Sequence, residues 1–395
     1  MKTNSTRRNF VKGTALLAGA GASLRAAPKG SAAIYAKLGV RPVINGVGTV
    51  TVLGGSIMPP EVVEAMVQAS RHFIRLPELQ EKAGAHIAGL LGVPAAMITA
   101  GAASAITVAA AACVASGDAR NVYKLPDTTG LKNEIVQQKS HRSGYEAQML
   151  LVGAKIVWVE TREELDRAIN DRTAMMFFLN KNDPDGRIKR DEWIRVGKER
   201  GVPTFNDAAA DVPPASRLTE YVQEGFDLVA FSGGKGLLGP QCSGLLLGRK
   251  DLIDIGLRAI SPHGGIGRGM KVGKEEIMGL VAAVERYLKV DHAAERRLLD
   301  QRADHVVKAL GGLPGIQCEI DVPEIANRVP HVIVRWDEGV RKLTSQQAVE
   351  QLIEGEPPIS VSRAGQGGLR ISMWMLRSDE HRIVARRLRE IFQAS

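Results

Sequence analysis

From about Ala95 onward, short apolar runs alternate with stretches of helical periodicity, the pattern of βα units around a mostly parallel sheet. The apolar runs predict seven strands, over residues 96–99, 122–125, 155–160, 174–179, 204–207, 228–232 and 244–248. Helices are predicted between them over 102–115, 145–152, 162–169 and 191–200, with Thr161 and Lys189-Arg190-Asp191 as starts and Gly201-Val202-Pro203 as a stop. From Lys274 the apolar positions Ile277, Leu280, Val284, Tyr287 and Leu288 fall on one helical stripe. They predict one long helix over 274–310, ended by Gly311-Gly312-Leu313-Pro314-Gly315. Beyond it the pattern is that of a small α+β unit, with strands over 316–320, 331–336, 359–363 and 369–373 and helices over 345–353 and 379–392. The expected organisation is a leader over 1–30, a segment over 31–60 packed on the small domain, a large α/β domain over 61–290 and a small domain over 291–395.

Composition agrees with a globular chain: 395 residues, 44% hydrophobic and 24% charged, which excludes disordered, collagenous and polytopic membrane classes. The net charge of +9 invites a nucleic-acid reading, but five basic residues and no acid lie within residues 1–27. Without them the charge falls to +4, and only 4% of residues are aromatic, so neither a polyanion groove nor a stacking platform is expected. Thr6-Arg7-Arg8-Asn9-Phe10-Val11-Lys12 resembles a twin-arginine export signal, followed by an Ala/Gly-rich apolar stretch too short to span a bilayer and by small residues near Ala27. Export to the periplasm through the twin-arginine machinery is therefore expected; a frayed basic terminus is the alternative. Cys113, Cys242 and Cys318 form no C-x-x-C, and the histidines have no ligand spacing, so no zinc, dithiol or other metal site is expected.

Three features carry chemistry. In Thr99-Ala100-Gly101-Ala102-Ala103-Ser104 a predicted strand ends in a small-residue turn that opens a helix. Free backbone N–H groups and a positive helix end there suit an anion, with the Ser104 hydroxyl as a further donor, although such a turn can also bind nothing. Asp207 closes a predicted strand at the sheet edge where open α/β sheets bind ligands; a carboxylate there suits a cationic ring nitrogen, and is equally a cap or turn residue. Ser232-Gly233-Gly234-Lys235-Gly236 follows an apolar strand, with Lys235 lying 28 residues after Asp207. Glycines leave room for a flat ligand, and lysine is the residue that condenses with a carbonyl cofactor; a solvated loop lysine is the plain alternative.

Taken in chain order, these features resemble the aspartate-aminotransferase-like, fold type I, pyridoxal-phosphate enzymes. Ser232 to Lys235 with Gly239-Pro240-Gln241, supported by Arg41 to Thr49 and Gly267 to Glu276, resembles the selenocysteine synthase (L-seryl-tRNA(Sec) selenium transferase) branch, which includes D-glucosaminate-6-phosphate ammonia-lyase-like proteins. The resemblance runs from about Leu38 to the C-terminus. It implies a seven-stranded, mostly parallel sheet sandwiched by helices, a small C-terminal domain, and pyridoxal 5'-phosphate as cofactor. It implies Lys235 as Schiff-base lysine and acid/base, Asp207 on the pyridine nitrogen, and Gly101, Ala102, Ala103, Ser104 and Ser232 around the phosphate. His141 falls where such enzymes place a ring over the cofactor, a structural histidine being the alternative. Arg370 matches the arginine that takes a substrate carboxylate, and Arg268 either reads a second acidic group or solvates a helix start.

Selenocysteine synthases carry an extra N-terminal tRNA domain that is not seen ahead of this catalytic-type region, and an exported protein would not meet seryl-tRNA. The expected substrate is instead an amino acid or amino-sugar acid, undergoing α,β-elimination or β-replacement through an external aldimine and quinonoid. Transamination, selenium transfer and a non-catalytic exported binding protein are the alternatives. A homodimer or higher homo-oligomer is expected.

Overall fold

The computed structural model describes residues 33–115 and 117–395; the leader expected over 1–30 lies outside the described residues. The described part of the first compact unit, 33–42, contains the short helix Ala33–Ala36, and residues 43–395 form the second unit. Among the described residues no helix is long and apolar enough to cross a membrane.

The second unit is built on three sheets. β1 (Ile44–Asn45) opens it. The large sheet comprises β2 (Ala95–Thr99), β3 (Glu134–Gln138), β4 (Lys155–Val159), β5 (Thr173–Leu179), β6 (Thr204–Asp207), β7 (Leu228–Ser232) and β8 (Gly244–Gly248). Their order is β2-β8-β7-β6-β5-β3-β4, all parallel except β8, which runs antiparallel to both of its neighbours. Both faces are covered, and the strands show it by period two. Ile98, Phe178, Val229, Phe231 and Leu245 meet one core, under helices Pro60–Ser70, Leu76–Leu91 and Lys274–Tyr287. Met97, Phe177, Phe205, Leu228 and Ala230 meet the other, under Ala102–Val114 and Lys250–Ala259. The helix Ala102–Val114 is buried from Ser104 onward because Ala, Val and Ile fill nearly every position.

The small sheet joins β9 (Ile316–Asp321), β10 (His331–Trp336), β12 (Ser362–Arg363) and β13 (Gly368–Ser372) in the antiparallel order β12-β13-β10-β9. β11 (Ile359–Ser360) pairs in parallel with β1. Gly46 then continues that pairing by donating to Ser360 and accepting from Ser372.

The sequence expectation differs from the fold in four places, the first being the strand expected over 359–363, which is two, β11 and β12, in different sheets. Residues 122–125 are no strand: the apolar run lies in a 3-10 turn, Ala119–Tyr123, whose start is capped by the Asp118 carboxylate. The strand that occupies this place in the sheet is β3, where Glu134, Gln137 and Gln138 are buried with partners. The long helix is two, Lys274–Tyr287 and His292–Leu310, because Asp291 caps the second and the His292 ring turns back onto the Tyr287 carbonyl.

Candidate active site

Strand order brings the chemistry-bearing residues to one edge of the large sheet. Thr99 and Ser232 both stand opposite Gly244, one on each side of β8, and Asp207 lies in the next strand beyond β7. Gly101 takes φ +110° and releases the chain into the helix Ala102–Val114. The first N–H groups of that helix have no carbonyl within it to receive them. Ser104 Oγ is buried with no partner, and a Cβ on Gly101 would meet nothing within 4 Å. This is a cradle with donors facing it.

The segment from Asp207 to Val212 is tied down residue by residue. Asp207 Oδ1 accepts from Ala209 N–H at 3.1 Å; the Ala209 carbonyl accepts from Ser232 and the Ala210 carbonyl from Asn327 at 2.7 Å. Val212 presses on the lysine turn so closely that a Cβ on Gly236 would lie 2.2 Å from its carbonyl oxygen. Burial pushes the Asp207 carboxyl up, opposed by the Ala209 N–H and by the charge of Lys235. Burial pushes the Lys235 amine down, opposed by Asp207 and Asp211. Among the described residues no hydrogen bond or ion pair reaches Lys235 Nζ.

Lys235 lines a cavity of about 340 Å³ with the 47–52 segment, Tyr145, Asn327, His331, Ser372 and Trp374. Asn45 shapes that segment: its side chain accepts from Val47 and Gly48 N–H and donates to the Gly48 carbonyl. Arg370 shares a sheet face with Ser372, two residues away on β13, and is half-exposed in an ion pair with Asp321 at 3.2 Å. Beside it, burial first and then the charge of Arg370 push His331 down to about 4.

Of the expected site residues Lys235 alone lines this cavity; Asp207, Ser232 and the Gly101–Ser104 turn lie along the same sheet edge, and His141 and Arg268 are held elsewhere. His141 is fully enclosed, edge-on to Phe178 with centroids 4.5 Å apart, and its Nδ1 accepts from Leu179 N–H. It does not line the cavity with Lys235, and burial holds it neutral, down to about 4. Arg268 donates to Ser261 Oγ at 3.3 Å in a loop whose residues do not line the cavity.

The sequence pattern of the L-seryl-tRNA selenium transferase family matches residues 161–309. D-glucosaminate-6-phosphate ammonia lyase of Salmonella typhimurium is 31% identical over 91% of this chain and 97% of its own length. The chain belongs to the selenocysteine synthase-like family of pyridoxal-phosphate enzymes. A second family member, 5'-C-glycyluridine monooxygenase-decarboxylase of a Streptomyces species, is 33% identical over 90% of this chain and 91% of its own. The solved structure of D-glucosaminate-6-phosphate ammonia-lyase superposes with a TM-score of 0.79 at 30% identity, covering 91% of this chain and 98% of that one. The fold is therefore that of the fold type I large domain with a small antiparallel domain. The enzyme is a pyridoxal-phosphate-dependent lyase or transferase.

The residues present fit the family's cofactor. An unpartnered buried hydroxyl and free helix N–H groups suit a phosphate, and a buried carboxylate with Oδ2 unbonded suits a ring nitrogen. An amine free of partners suits a carbonyl carbon. Sequence reading found these because each sits beside a strand end. It did not find Tyr145, Asn327, His331 or Trp374, which reach the cavity only through tertiary contact. The one available signal was the Asn45 to Thr49 turn, whose Asn-Gly and Gly-Thr pairs mark a tight bend.

Proposed function

We propose that this enzyme eliminates a β-substituent from an amino acid or amino-sugar acid, releasing ammonia and a keto acid after hydrolysis. The observation that carries the reading is the convergence of Lys235, Asp207 and the Gly101–Ser104 turn at one sheet edge, in a chain that aligns over 91% of its length with an ammonia lyase. Bound pyridoxal phosphate supplies the carbonyl that captures amines and the cationic ring that accepts electrons from the substrate Cα. Lys235 would hold the cofactor and, when free of it, would take the substrate Cα proton on Nζ. Burial lowers its proton affinity, which keeps more of the amine in the basic form at neutral pH. Asp207, buried at the sheet edge, would hold a proton on the ring nitrogen. The N–H groups of Ala102, Ala103 and Ser104, with the Ser104 and Ser232 hydroxyls, bind the phosphate. Arg370 orients the substrate carboxylate by a two-pronged bond, for which it must leave Asp321.

The test is direct. Purified protein loaded with pyridoxal phosphate is reduced with borohydride and mapped, then assayed for ammonia release from D-glucosaminate 6-phosphate and from small β-substituted amino acids. The adduct is expected on Lys235, and Lys235→Ala is expected to lose the visible band and the activity. Oxygen uptake with loss of carbon dioxide would instead assign the chain the type of reaction named in the Streptomyces relative.

A homodimer is part of the same proposal, because Val52 lines the cavity yet is 91% exposed, and Ile57, Phe73 and Ile74 are exposed apolar residues as well. Light scattering checks it, and a monomer would refute it. Export through the twin-arginine route rests on Arg7 and Arg8. Lysine at both positions is expected to strand the enzyme in the cytoplasmic fraction.

A further inference from the structure

The acid four positions beyond Asp207 is buried and has no part in the chemistry so far. Asp211 Oδ2 accepts from Asn180 Nδ2 at 2.6 Å and from the Tyr221 hydroxyl at 2.9 Å. Asn180 Nδ2 also lies 2.8 Å from that hydroxyl. Asn180 follows β5 directly, Tyr221 lies in helix Arg217–Glu224, and Asp211 lies on the segment that begins at Asp207. One carboxylate thus ties three elements, and the residue after it, Val212, presses its carbonyl on Gly236 beside Lys235. Among the described residues no hydrogen bond reaches its Oδ1.

A buried carboxylate needs a compensating cation. Arg190 bonds Asn180 Oδ1 at 3.2 Å, lies 5.1 Å over the Tyr221 ring and is already paired with Glu224. Arg217 lies 5.4 Å over the same ring and is paired with Glu220. Neither hydrogen-bonds the Asp211 carboxylate, although the charge of Arg217 lowers its affinity for a proton. Lys235 has no partner of its own, and Asp211 and Asp207 both raise its affinity for a proton, against Lys181 and burial. Tyr145 and His331 are the titratable groups that share its cavity.

We propose that Asp211 is a positioning residue of the lysine site, held by Asn180 and Tyr221 so that its charge acts on the nitrogen that Lys235 contributes. The proposal rests on Lys235 being the cofactor-bearing lysine. Asp211 acts through Lys235 and through the segment that carries Asp207. Burial raises its own carboxyl to about 6, so its charge is present above that pH and fades below it.

The experiment is a pH titration of the visible spectrum of the cofactor-loaded protein, for wild type, Asp211→Asn and Asp211→Glu. Loss of a nearby negative charge lets the nitrogen give up its proton at lower pH. The Asp211→Asn midpoint is expected about one unit below wild type, with Asp211→Glu restoring it. Equal midpoints for wild type and Asp211→Asn overturn the proposal. If Asp211→Asn does not take up cofactor, Tyr221→Phe keeps the ring and the carboxylate but removes one donor. The lower-pH inflection then moves upward, and an unmoved profile overturns the proposal. A wild-type protein with no visible band, or an adduct mapping elsewhere, sinks the reading of Lys235 itself, so the two failures are separable.

Discussion

Alanine at position 244 tests whether the phosphate turn and the strand beside it form one steric unit. Gly244 is buried in β8 between Thr99 and Ser232, and its backbone has no positive φ, so a side chain there is opposed by space alone. A Cβ would lie 2.6 Å from the carbonyl carbon of Gly101 and 2.8 Å from the nitrogen of Ala102. Carbon contacts settle at about 3.5–4 Å, so the turn has to retreat by roughly 1 Å. β8 cannot yield, because it is bonded on both edges, whereas the first turn of the helix can. Overpacking of this kind costs about 1–3 kcal/mol. Displacing the N–H groups of Ala102, Ala103 and Ser104 removes a charge-assisted hydrogen bond worth about 1.5–3 kcal/mol, which is roughly 10- to 150-fold in cofactor affinity. Titration of apo protein with pyridoxal phosphate, followed by visible absorbance, is expected to show a Kd raised at least about tenfold. Thermal unfolding of the apo protein, run in parallel, reports the packing cost separately. A Kd within about twofold of wild type would refute the steric reasoning, whatever the stability does.

Three further predictions follow from single side chains. Ser104→Ala removes an oxygen with no partner among the described residues, so apo stability should change by less than about 0.5 kcal/mol while cofactor Kd rises about tenfold; the reverse outcome would place the hydroxyl in the core. His141 is held down to about 4 in the fold but takes a proton near about 6.5 when unfolded, so its stability contribution is full above pH 6.5 and is lost as pH falls toward 4. Against wild type at each pH, urea unfolding of His141→Gln should lack that slope, worth up to about 3 kcal/mol, and parallel curves would contradict the buried neutral ring. Arg370→Lys keeps the charge and loses the fork, so KM for an amino-acid substrate should rise about tenfold with kcat little changed; a loss confined to kcat would exclude substrate binding by Arg370.

Six of the seven strands of the large sheet were legible because each is an apolar run bounded by a turn or helix signal. β3 was not, because its Glu-Ile-Val-Gln-Gln sequence hides burial behind polar letters. Asn170 and Arg172 satisfy Glu134, and the Ile188 backbone satisfies Gln138, partners that only the folded chain supplies. The break between residues 287 and 292 was hidden for a related reason: the apolar stripe runs up to it, and only the Asp291 cap shows where the helix restarts. In the site, the residues that end strands could be ordered from sequence. Tyr145, Asn327 and Trp374 come from three distant segments, and nothing local distinguishes them from other loop residues.

The antiparallel strand has a kinetic consequence. β2 is the first strand of the large sheet to be synthesised, yet it lies at an edge, and its one partner is β8, the last. On the ribosome β3 through β7 can assemble while β2 waits, unpaired and apolar, until Gly244–Gly248 has emerged to bridge it to β7. A nascent chain arrested before that point carries an open strand edge, a ready template for aggregation. The anion cradle after Thr99 is written early in the chain and comes into being late, when the sheet closes.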